Sequence, residues 1–158
     1  MSDWLDALVS SAREQQELET QKKLDTQADE RLRLAHGGAY FDDLKRALKT
    51  IVFEFNRKFG SEVLSFRDEA PSANTFTIWS HSTEKYRWSA TVSYAPDAHI
   101  IQFMRSPGSS QNYRLEFSRQ GETMVALYGN RTDVEHGLSA ETLARSIFQM
   151  MAAGRQPV

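Results

Sequence analysis

Cysteine is absent from all 158 residues, so the chain has no disulfide framework, no thiolate metal site and no cysteine nucleophile. An excess of charge of one sign is also missing. Nineteen Lys and Arg stand against 21 Asp and Glu, and the net charge of −2 argues against a general binder of nucleic acid or other polyanions. No apolar run approaches the ~18 residues of a membrane span, because Lys49 and Glu54 interrupt even the stretch 47–55. Asp3 and Asp6 occupy the place where a secretory leader needs positive charge. The expectation is a cytoplasmic protein with no membrane partner. Phosphate-binding glycine patterns are missing too: Gly37-Gly38 belongs to neither a Gly-x-x-x-x-Gly-Lys run nor a Gly-x-Gly-x-x-Gly run.

Core-building material is plentiful. The composition is 40% hydrophobic with nine Phe, five Tyr and three Trp, enough for a single domain of ordinary size. The chain divides into three zones. Residues 10–35 are rich in charge and Gln and lack any aromatic, Val or Ile, which favours a solvated helix. A heptad seam through Trp4, Ala7, Ser11, Glu14, Leu18, Gln21, Asp25, Ala28, Leu32 and Ala35 fails in its middle, so a long coiled coil is not indicated. The Gly37-Gly38 pair is expected to end this helix.

A second helix is expected over 41–59, where Phe41, Leu44, Leu48, Ile51, Val52, Phe55 and Phe59 recur every three or four residues as a core stripe ending at Gly60. The period then changes to two. Tyr86, Trp88, Ala90, Val92 and Tyr94 alternate with polar residues, as do Tyr113, Leu115 and Phe117. Weaker strands are read at 62–67 (Leu64, Phe66), 75–81 (Phe76, Ile78), 99–105 (Ile101, Phe103) and 122–128 (Val125, Leu127). Their short connections leave no room for crossover helices. Ser139 then caps a final helix carrying Leu143, Ile147, Phe148 and Met151. The fold class is therefore α+β: two N-terminal helices, an antiparallel meander of five or six strands, and a C-terminal helix packed on one sheet face. Residues 1–37 read as a polar helical arm and 38–158 as the domain.

The chemistry-bearing residues form no specific constellation. His36, His81, His99 and His136 lack the i,i+4 spacing of a helical zinc site, and no metal or cofactor is expected. Asp133, Glu135, His136 and Ser139 crowd one segment without a nucleophile elbow, and helix capping accounts for Ser139. Trp79, Arg87 and Arg114 should lie on the sheet face opposite the core, where an acidic protein or small anion could be held, or where Glu116 could simply neutralise an Arg.

Three functions are open at this point. The leading one is a non-enzymatic protein-interaction or adaptor module that self-associates through the N-terminal helix and the Arg/Trp-bearing face. The second is a small-molecule carrier with an apolar pocket lined by Tyr86, Trp88, Phe103 and Phe117. The third is a hydrolase-type enzyme using His136 with Asp133 or Glu135.

Overall fold

The computed structural model describes residues 3–68, 74–81, 88–118, 123–128 and 136–153. Helix α1 spans Asp3–Phe59, and helix α2 spans Ala140–Ala153. Between them come six strands, β1 (Leu64–Asp68), β2 (Thr75–Ser80), β3 (Ser89–Ala95), β4 (Ile100–Ser106), β5 (Ser110–Ser118) and β6 (Thr123–Tyr128). All adjacent strands pair antiparallel, and the order across the sheet is β1-β2-β3-β4-β5-β6. This is the α+β meander that the period change in the sequence implies.

One expected break does not occur. The two N-terminal helices are joined as one, and the backbone stays helical through Gly37 and Gly38. Gly37 serves a close approach: a Cβ there would run into the Tyr94 hydroxyl oxygen. The missing side chain lets the helix lie against β3. Gly60 does end α1, at φ 93°, with its N–H donating to the Asn56 carbonyl at 2.9 Å. The Asn56 side chain then fixes the path into the sheet. Its Oδ1 accepts the N–H groups of Val63 and Leu64, and its Nδ2 donates to the Leu64 carbonyl, so the start of β1 is pinned to the last turns of α1.

The chain forms two compact units, residues 1–32 and 33–158. In the first, the side chains described from residue 3 to residue 31 are all exposed. The second contains the core. Phe41, Leu44, Leu48 and Val52 of α1 and Leu143, Ile147 and Met151 of α2 pack on one sheet face formed by Phe76, Ile78, Ala90, Val92, Ile101, Phe103, Tyr113 and Leu115. Residues 33–37 pack with this unit. Arg33 pairs with Glu116 at 2.7 Å, and the His36 ring stacks on Phe117 at 5.2 Å. The Ser139 cap is present, its Oγ accepting the Thr142 N–H at 3.2 Å.

On β6 the core-facing residues are Met124, Ala126 and Tyr128, not Val125 and Leu127. The register sets them opposite Phe117, Leu115 and Tyr113, which already face the core. The outer edge of β6 is closed by a two-bond bridge between Ala126 and Leu138, whose carbonyl also accepts the Tyr40 hydroxyl at 2.8 Å.

Candidate functional site

Trp79 and Arg114 both lie on the sheet face away from the helices, in the alternate positions of β2 and β5. They do not form one site. Cross-strand register puts Trp79 in a row with Ser65, Ser89 and Ser106, whereas Arg114 stands beside Ile100 and Leu127 at the other end of the sheet. At strand spacings of ~4.8 Å and ~3.3 Å per residue, the two are roughly 25 Å apart. Arg114 Nε is 3.1 Å from Glu116 Oε1, and the other oxygen of Glu116 takes Arg33. One carboxylate thus answers two guanidinium groups, and an ion pair of this kind on a sheet is ordinary structural electrostatics. Arg87 and Tyr86 lie outside the described residues.

Between those ends the outer face carries hydroxyls and amides. Thr75, Thr77, Ser89, Thr91, Ser93, Gln102 and Met104 occupy it on β2, β3 and β4, with no charged side chain among them. At the Trp79 end, a cleft of about 400 Å³ is lined by Trp79, Ser80, His81, Trp88, Ser89 and Ser106. The His81 ring meets Trp79 edge-on at 5.9 Å, and its Nε2 is hydrogen-bonded to the Ser65 hydroxyl. Trp88 is buried against the core and lies under the Arg105 guanidinium at 5.6 Å. Arg105 is held in turn by the Met151 and Pro107 carbonyls. Phe103 is fully enclosed in the core and Phe117 is covered by His36, so these two rings are packing residues between sheet and helix.

His99 is buried in the turn leading into β4, and His136 is exposed ahead of α2. Asp133 and Glu135 lie outside the described residues. Among the described residues, no group of three or more His, Asp or Glu is placed to hold a metal ion, and no helix is long and apolar enough to cross a membrane.

The strongest departure from ordinary surface chemistry is on the helices. Trp4, Leu5, Leu8 and Val9 are 66%, 50%, 58% and 45% exposed. Their i, i+1, i+4, i+5 spacing gathers them on one side of α1. A heptad seam does not bring out this cluster, because it joins Trp4 to Ala7 and Ser11 whereas the apolar residues are confined to two turns. A second patch closes the other end of α1. Val52 is buried, but Phe55 is 36% and Phe59 62% exposed, because α1 runs on past the side chains that cover its apolar stripe. Phe55 stacks on Phe59 at 6.2 Å and meets Phe148 of α2 edge-on at 5.6 Å. This corrects the reading of Phe55 and Phe59 as enclosed core.

A separate groove of about 710 Å³ lies between the two helices, lined by Ala47, Ile51 and Ala140 and rimmed by Asp43, Arg46, Glu141 and Arg145. Beside the rings, Arg57 pairs with Glu54 at 2.7 Å, and the hydrogen bond it donates holds the Glu54 carboxyl below the usual carboxylate range.

Comparison with known proteins gives no relative from which to read a role: no family model, curated protein or solved structure matches the chain.

Proposed function

We propose that this protein is a non-enzymatic interaction module that associates with a second copy of itself through the N-terminal segment of α1. The observation that carries the reading is the exposure of Trp4, Leu5, Leu8 and Val9 on a helical unit whose described side chains, residues 3–31, have no core of their own. Most helical stability in proteins comes from burying an apolar face rather than from propensity. A contiguous apolar cluster left open on a surface is the usual mark of a protein contact.

Light scattering on the full chain tests this, beside a Leu5→Glu/Leu8→Glu chain at the same concentration. A wild-type mass of two or more chains, falling to one in the variant, is the expected outcome. A monomeric wild type, or an oligomer indifferent to both glutamates, would rule the reading out.

A further inference from the structure

We infer that the surface receiving the N-terminal segment is the Phe55/Phe59/Phe148 patch of a second copy, so that each chain supplies one docking helix and one docking site. The inference rests on the self-association proposed above and names its surface. Two features select a second copy as the occupant.

The first is charge. Residues 3–19 hold Asp3, Asp6, Glu14, Glu17 and Glu19 against Arg13 alone, whereas residues 45–58 hold Lys45, Arg46, Lys49, Arg57 and Lys58 against Glu54 alone. Each apolar patch therefore sits in a stretch of opposite net sign. Pairing unlike ends is favoured, and pairing two acidic ends or two basic ends is opposed. Lys45 is engaged with Asp68 at 3.2 Å, Lys49 lies over the Phe66 ring, Arg46 pairs with Asp43 and Arg57 with Glu54, and Lys58 stands next to Phe59 in the chain.

The second is area. Covering the open parts of Trp4, Leu5, Leu8 and Val9 and of the three Phe rings removes at most roughly 700 Å² from water, because no more than about two thirds of each side chain is still exposed and a whole aromatic buries ~150–250 Å². A two-fold pair makes the contact twice, because the site for residue i on one chain receives residue j of the other and the reverse. The resulting total of at most about 1,400 Å² reaches into the ~1,200–2,000 Å² of stable interfaces.

The absence of native cysteine makes a direct test possible on the full chain. A Leu8→Cys chain and a Phe59→Cys chain, both at exposed positions, are treated with a short bismaleimide linker singly and as a mixture. Covalent dimer in the mixture, with at most background in either variant alone, is expected. A Phe59→Glu chain should dimerise at least tenfold more weakly in sedimentation while its circular dichroism at low concentration still matches that of the wild type. Cross-linking of Leu8→Cys alone would mean that the N-terminal patches meet each other, and would overturn this docking surface while leaving self-association standing. So would a wild-type dimer with no cross-link in the mixture. A wild-type monomer would overturn both.

Discussion

Two adjacent glycines in one helix show how far a residue's role depends on what lies beyond it. A Cβ on Gly38 meets nothing within 4 Å, whereas one on Gly37 runs into the Tyr94 hydroxyl, on a ring that is buried and stacked on Phe41. Removing a helical glycine is worth up to about 1 kcal/mol, and overpacking a fitted contact costs about 1–3 kcal/mol. Gly38→Ala should therefore raise the urea midpoint and Gly37→Ala lower it, and the Gly37 penalty should shrink in a Tyr94→Phe background, where the ring carbon at 3.1 Å still crowds the added methyl. Equal effects at the two glycines would refute the close approach. The buried tyrosines make a separate prediction about pH. Burial pushes the Tyr40 hydroxyl well above its ordinary value and, aided by neighbouring Tyr128, pushes Tyr113 up to about 12. In the unfolded chain both ionise near pH 10, so above that pH the unfolded state holds fewer protons than the folded state. Stability is then complete below about pH 10 and falls towards pH 12, by at most about 1.4 kcal/mol per pH unit for each tyrosine. Urea titrations between pH 9 and 11 should show this slope, and Tyr113→Phe should flatten it.

At the scale of elements, Asn56 decides how α1 hands over to the sheet. Its amide answers two N–H groups and a carbonyl in one turn, and Asn56→Ala would leave these part-buried groups without those partners. A loss of about 2–3 kcal/mol is expected from chemical unfolding. A half-exposed position on the same helix contrasts with it, since Phe59→Glu gives up only its stacking on Phe55 and should cost about 1 kcal/mol in the monomer. The elements were largely legible in the sequence, and for physical reasons. Alternation over Ala90, Val92 and Tyr94 and the stripe over Phe41, Leu44 and Leu48 are local consequences of one-sided burial. Three features were not legible. Continuity through Gly37 depends on Tyr94, more than fifty residues away in sequence. The facing of β6 depends on its register with β5, because apolar residues occupy both sides of that strand. The exposure of Phe55 and Phe59 depends on where the covering elements stop, which periodicity along one helix does not encode. The ion pairs illustrate the same limit. Arg46 reaches Asp43 and Arg57 reaches Glu54 at i,i+3, although each cation-rich turn also offers i,i+4 partners, and Arg33 reaches across to Glu116 on the sheet. For the site, residue types were visible but their grouping was not: Trp79 and Arg114 share a face and nothing else.

For the molecule as a whole, the contrast between an exposed helical segment and a packed sheet domain implies uneven stability. In dilute solution the amides of residues 3–31 should exchange within seconds, while those of β3 and β4 stay protected to the limit of global unfolding. Raising the concentration through the association midpoint should slow exchange over residues 3–19 selectively, and uniform rates across concentrations would contradict a role for that segment in assembly. The strand order has a consequence for the history of the chain as well. Because position in the sheet tracks position in the sequence, each strand finds its partner in the segment made just before it, and the sheet can grow hairpin by hairpin at little loop-closure cost. The apolar face of that growing sheet is only half roofed by α1, since Leu143, Ile147 and Met151 belong to the last helix. A nascent chain that has not yet released α2 therefore carries a finished sheet with an open greasy side. It is during that interval, rather than in the completed molecule, that the protein would most need a chaperone.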